Sequence, residues 1–161
     1  MMIPFWQKIL GCFLYMLPWS DGITFGRYLF QDFPFLGWLQ YLALPIWLIE
    51  QIIPFGLGSL VLFVAIFIAI VRNPKVSYFL RFNALQALLI NIGIFLLNYA
   101  FVLLIQPLGG RLIVSTLASS IFIAILTIII FTFGECLQGK EPDLPGISEA
   151  VRMQLWWLMN L

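Results

Sequence analysis

The stretches ALQALLINIGIFLLNYAFVLLI, Ala84–Ile105, and LIVSTLASSIFIAILTIIIFTF, Leu112–Phe133, are separated only by QPLGGR. Neither holds a charged residue, and each is long enough for the ~20 residues a helix needs to cross a bilayer core. Pro107, Gly109 and Gly110 break the run between them, so the pair reads as two antiparallel spanning helices joined by a short loop. The rest of the 161-residue chain agrees: 63% of residues are hydrophobic and only 9% are charged. A soluble domain carries about 25% charged residues, so this chain must meet lipid. Lipid requires every spanning backbone to satisfy its own hydrogen bonds. The apolar runs lack the alternation of barrel strands, and an all-α fold follows.

Two further segments are read as spans. Residues 4–19 are short and contain Lys8, whose long side chain can reach the interface. Residues 53–71 are free of charge, with Pro54 suited to a first helical turn. Between them, residues 33–51 (FPFLGWLQYLALPIWLIEQ) are aromatic and interrupted by Pro34, Gly37 and Pro45. They read as an interfacial or re-entrant segment. With spans at 4–19, 53–71, 84–105 and 112–133, one side gathers Lys8, Arg72, Lys75, Arg81, Lys140 and Arg152, and the other holds Arg27 and Arg111. The positive-inside rule then puts both termini on the cytoplasmic or stromal side. If residues 33–51 also crossed, the N-terminus would move to the other side with an equal bias. Past a polar Gly139–Gly146 turn, residues 148–160 read as a short amphipathic helix on the inner surface. Ser148 is its expected cap, Val151, Leu155 and Leu158 share one face, and Trp156 and Trp157 suit an interface. The whole chain, 1–161, reads as one integral membrane domain without repeats.

Enzymatic chemistry finds no support. There is no histidine, Cys12 and Cys136 lack metal-ligand spacing, and no phosphate loop or nucleophile motif is present. No cofactor or metal is expected, and a net charge of +1 gives no case for nucleic acid. The acidic residues Asp21, Asp32, Glu50, Glu135, Glu141, Asp143 and Glu149 all read as loop or span-end residues, leaving no carboxylate inside the bilayer. Within Val71–Asn91, Arg72, Asn73, Lys75 and Arg81 mark a basic connection. Asn83, Gln86, Asn91 and Asn98 fall within an arc of about 140° on a helix of 3.6 residues per turn. Hydrocarbon does not solvate amides, so this stripe should face protein or water. It serves either interhelical hydrogen bonding or a polar conduit. On the last span, Ser115, Thr116, Ser119, Ser120 and Thr127 share a comparable arc. Small residues four apart suit close helix packing, and the two polar faces are free to meet each other or a partner.

VRNPKVSYFLRFNALQALLI, Val71–Ile90, resembles the signature of the Tic-twenty family of the chloroplast inner-envelope translocon and its cyanobacterial relatives. The specific part is Arg72-Asn73 together with Arg81-Phe82-Asn83 and Gln86-Ala87. PGISEAVRMQ, Pro145–Gln154, resembles the family's C-terminal motif, and FGRYLFQDFPFL, Phe25–Leu36, also fits. The resemblance implies a four-helix inner-envelope protein that helps form the path for precursor import. Its expected partners are other inner-envelope translocon subunits, the translocating precursor polypeptide and membrane lipid. Residue 91 is asparagine where an acidic residue is expected in many relatives, and Tyr78 leaves the motif without histidine. Nuclear-encoded relatives carry a transit peptide and this sequence shows none, so a plastid-encoded protein is expected, with a cyanobacterial plasma-membrane protein as the alternative. Candidate partner or conduit contacts are Arg72, Asn73, Lys75, Arg81, Asn83, Gln86, Asn91, Asn98, Ser115 and Ser119. The rival roles are a non-conducting scaffold or assembly factor and, fitting least well, a small-molecule or ion transporter.

Overall fold

The computed structural model describes residues 3–54 and 57–160 and is all-α. Its helices are α1 (Phe5–Leu14), α2 (Met16–Gly22), α3 (Arg27–Asp32), α4 (Leu44–Ile52), α5 (Gly58–Ile66), α6 (Tyr78–Ala100), α7 (Arg111–Gln138) and α8 (Ile147–Met159). Single π-helical turns, Phe67–Val71 and Phe101–Ile105, extend α5 and α6. Two helical rods are long and apolar enough to cross a membrane, Tyr78–Ile105 and Arg111–Gln138. Helix α7 runs through Gly134 and stops at Gly139, whose φ of 77° lets the Gly139 and Lys140 amides close onto the Cys136 and Glu135 carbonyls.

The other two expected spans are not single helices. Residues 5–32 follow one helical path with a turn at Tyr15 and a 3-10 stretch at Ile23–Gly26. Pro18 supplies no N–H for the Leu14 carbonyl, and at the turn the Tyr15 amide donates to the Cys12 carbonyl three residues back. The path lies along the α6–α7 hairpin from end to end. At one end Gly11 sits against Phe79 and Cys136, and Gln7 accepts a hydrogen bond from Ser77. At the other, Phe25 packs edge-on against Phe101 and Phe30 against Phe122. Gly22 and Gly26, four apart, make the close approach possible, since a Cβ on Gly22 would lie 2.8 Å from Ile125 Cγ2.

Within the segment expected at 53–71, a continuous helix is described over Gly58–Val71, while residues 55 and 56 lie outside the described residues. It is preceded by a 3-10 stretch, Pro34–Ala43, and by α4. Gly58 meets α4 so closely that a Cβ there would fall 2.6 Å from Glu50 Cα. The chain therefore enters beside Asp32, turns after α4 and leaves at Val71, whose carbonyl accepts from Arg81. It makes two half-length pieces where a single helix was expected at 53–71. Pro45, in the first turn of α4, and Pro54, just past its end, prevent one continuous ladder. Helix α8 buries Val151 and Leu155 in the core formed with α6, while Trp156 and Trp157 stay exposed. Ser148 does not cap it. Gly146, with φ of 77°, occupies that place, and the Ser148 hydroxyl instead accepts from the Leu144 amide at 2.7 Å.

Candidate functional site

Three α6 amides point into the protein. Asn83 and Gln86 are fully buried where α1, α6, α7 and the C-terminal tail meet. The Tyr15 hydroxyl lies 3.0 Å from Asn83 Oδ1 and 3.3 Å from Gln86 Oε1, so two amide oxygens share one proton. The Cys136 thiol donates to Asn83 Oδ1 at 2.9 Å, and Asn83 Nδ2 donates to the Phe79 carbonyl at 2.8 Å. Gln86 Nε2 reaches the Pro142 carbonyl at 3.1 Å and Ser148 Oγ at 3.3 Å. Every amide atom of both side chains has a partner, so this hub ties four elements together and offers no free polar group.

The basic connection surrounds that hub. Arg81 is buried, with Nε donating to the Val71 carbonyl at 2.8 Å at the end of the π-helical turn. Asn73 closes a turn by accepting from the Lys75 amide at 3.0 Å, while Arg72 and Lys75 project outward. Arg152 stands 5.6 Å over the Phe82 ring and pairs with Asp143 at 3.3 Å. In the tail, burial pushes the Glu141 carboxyl up, an effect that nearby Arg152 partly offsets.

Asn91, at the midpoint of Tyr78–Ile105, donates to Asp21 Oδ2 at 2.7 Å. This overturns the expectation that every acidic residue sits in a loop or at a span end. Pro18 and Gly22 suggest a break in the sequence, but the helical path continues to Asp32 and carries Asp21 into the middle of the bundle. Asp21 lines a side-open cavity of about 340 Å³ with Thr24, Ser59, Asn98 and Tyr99. Beside it, Glu50 Oε1 is buried without a hydrogen-bond partner among the described residues. A second cavity, of about 490 Å³, lies between α3 and the 34–52 segment and includes Arg27, Gln40 and Trp47.

The polar faces of α6 and α7 do not meet. Asn83, Gln86 and Asn91 face the 5–32 path and the tail. Ser120 and Thr127 are exposed and bond back to Thr116 and Ile123 in their own helix, both at 2.8 Å. Ser115 does the same to Leu112 at 3.1 Å, beside Arg111, and Ser119 is half-buried. A hydroxyl can satisfy itself within its own helix and an amide cannot do so fully, which separates the two stripes. Tyr15, Cys136, Ser148 and Asp21 are the site residues that sequence reading missed. The only signal for the first two is a hydrogen-bonding atom inside an apolar run at Tyr15 and at the end of one at Cys136.

These features define a class: an α-helical membrane protein whose polar groups hold helices together and line a lateral groove, with no metal-ligand cluster among the described residues. The family described as "Chloroplast import apparatus Tic20-like" matches residues 3–151, and the chain belongs to it. A Tic20 family protein of Synechocystis is 34% identical over 151 residues, covering 92% of each chain. The chloroplastic protein TIC 20-v of Arabidopsis thaliana is 30% identical over 156 residues, covering 92% of this chain and 71% of the relative. The Ycf60 protein of Porphyra purpurea is 29% identical over 156 residues, covering 92% of this chain and 75% of its own length. Membership makes the chain a multi-pass membrane protein of the import-apparatus family, which has chloroplastic members and a member in Synechocystis.

Proposed function

We propose that the chain is a four-crossing translocon subunit and that precursor chains pass along its lateral groove at Asp21, Thr24, Ser59 and Asn98. The groove carries the argument. An open polar face at mid-depth is costly against lipid, so in the assembled complex a polar partner or a moving polypeptide must cover it. Other translocon subunits would complete the wall, since one copy encloses too little space. The crossings are residues 5–32, the broken pair 34–52 and 58–71, and the two long rods. Lys8 packs on Gly139, and Ser77 bonds Gln7, which supports a common side for the N-terminus, the basic connection and the tail. By the positive-inside rule that side is stromal, where Arg72 and Lys75 would meet anionic lipid or partner subunits.

A photo-crosslinker at Asn98, in a complex arrested with a precursor in transit, tests this reading. It should label the precursor, while a crosslinker at exposed Ser120 on the far helix should label lipid or neighbouring subunits. Silence from position 98 would leave the second reading, a non-conducting scaffold or assembly factor, which the closed hub at Asn83 and Gln86 favours.

A further inference from the structure

We propose that Asp21 is a binding site for lysine or arginine side chains of the translocating chain, a proposal that rests on the conduit reading above. Asp21 sits at the depth of Asn91, the midpoint of the Tyr78–Ile105 rod. One carboxylate oxygen is held by Asn91 Nδ2 at 2.7 Å, which fixes the group while leaving the other oxygen available. A carboxylate at this depth demands a counter-charge. None is provided: the only ion pair among the described residues joins Arg152 to Asp143 in the tail. No lysine or arginine lines the groove, and Arg27, further along the same path, lies over the Tyr28 ring at 5.4 Å.

A second observation points the same way. The neighbouring Glu50 has a buried carboxylate oxygen with no hydrogen-bond partner among the described residues. Glu50 does not line the recess but stands behind Ser59 and close to Asp21, so a second acidic group borders the wall that Asp21 lines and favours an ammonium or guanidinium group there. The remaining lining, Thr24, Ser59, Asn98 and Tyr99, offers hydroxyls and an amide to a polar backbone or to serine side chains. That chemistry fits a chain rich in arginine and serine and poor in acid, which is the composition of plastid-targeting segments. Asp21 would hold such a residue briefly at mid-membrane, lowering the cost of carrying its charge through.

The test uses the full translocon with this chain as its resident family member and a photo-crosslinker at Asn98. Two arrested precursors are compared, one native and one with the basic residues of its targeting segment changed to glutamine. Asp21→Asn keeps the shape and the bond to Asn91. It should cut the crosslink yield of the native precursor at least about fivefold, the scale of a charge pair that is only partly desolvated. The glutamine precursor should show no change, and Asp21→Glu should restore most of the native yield. A native yield untouched by Asp21→Asn, with strong labelling in both, would overturn the cation site and leave the conduit standing. No labelling of either precursor from position 98 would overturn the conduit itself.

Discussion

Replacing Gln86 with leucine should undock the C-terminal tail while leaving the helix bundle folded. Leucine keeps most of the volume and removes three contacts: two donated to Pro142 O and Ser148 Oγ, and one accepted from Tyr15. None of the partners is orphaned. Ser148 still donates to Pro142 O at 3.0 Å, and Tyr15 still reaches Asn83 at 3.0 Å. The loss therefore approaches the net value of the bonds rather than a desolvation penalty. At about 0.6–1 kcal/mol each in a membrane protein, the two tail-facing bonds account for about 1.4 kcal/mol, or tenfold in the opening equilibrium. Hydrogen exchange of the α8 amides in detergent micelles or nanodiscs should accelerate by about that factor. The α7 amides should change little. Gln138→Leu, at the exposed end of α7, serves as the control. Unchanged exchange in α8 would refute the claim that the hub docks the tail, and equal acceleration everywhere would show that Gln86 supports global stability only.

Four further outcomes follow from the same geometry. Arg81→Met should lower the melting midpoint in detergent by the equivalent of about 1.5–3 kcal/mol, the value of a hydrogen bond from a charged group, because the Val71 carbonyl loses its donor. Gly22→Ala should cost about 1–3 kcal/mol by overpacking, and Ile125→Ala should restore part of that loss in a double-mutant cycle, since Ile125 supplies the two nearest atoms. Cysteines placed at Phe35 and Leu108 should react with an impermeant maleimide from one face of sealed vesicles, and those at Lys75 and Lys140 from the other; labelling of positions 35 and 75 from one face would refute the four-crossing path. Because burial raises the Glu141 carboxyl above its usual value of about 4.3, the docked tail binds the proton more tightly than the open one. Docking is then favoured below that value and weakens as pH rises through the raised one, a slope that Glu141→Gln should flatten in exchange measurements on α8.

The two long rods were legible because charge-free length alone specifies them, and no tertiary contact was needed to find Ala84–Ile105 or Leu112–Phe133. The inward turn of Asn83, Gln86 and Asn91 was legible for a related reason: amides in hydrocarbon have one acceptable direction. Their partners were not. Nothing local marks Tyr15, whose sequence neighbours are apolar, or Cys136, which follows Glu135 at the end of a long rod, and pairing across more than fifty residues depends on how α1 and α7 lean on α6. The broken segments misled for a different reason. Pro18, Pro45 and Pro54 signal interruptions, but a proline does not say whether the chain exits, kinks or turns back. At Pro18 it kinks and continues, which brings Asp21 inside; after α4 it makes a tight turn before running on to Val71, which sets Glu50 beside Asp21.

The pairing of Asn91 with Asp21 also decides what an exchange of charge at the centre of this chain would do. Asn91 in this chain supplies a donor to a carboxylate on the facing path, where an acidic residue at the same position would supply a second negative charge. An asparagine and an aspartate have nearly the same shape, so the close packing of Gly22 against Ile125 one helical step away is indifferent to the exchange. The electrostatics are not, because two carboxylates 2.7 Å apart cannot both ionise, and one would hold a proton. In either case the pair holds at most one negative charge at mid-depth. Asn91→Asp should therefore preserve the fold and the groove's preference for basic segments, whereas Asp21→Asn with Asn91 retained should abolish that preference. If the double exchange Asp21→Asn with Asn91→Asp restores the basic-precursor crosslink from position 98, the charge itself, rather than the helix that carries it, is what the groove uses.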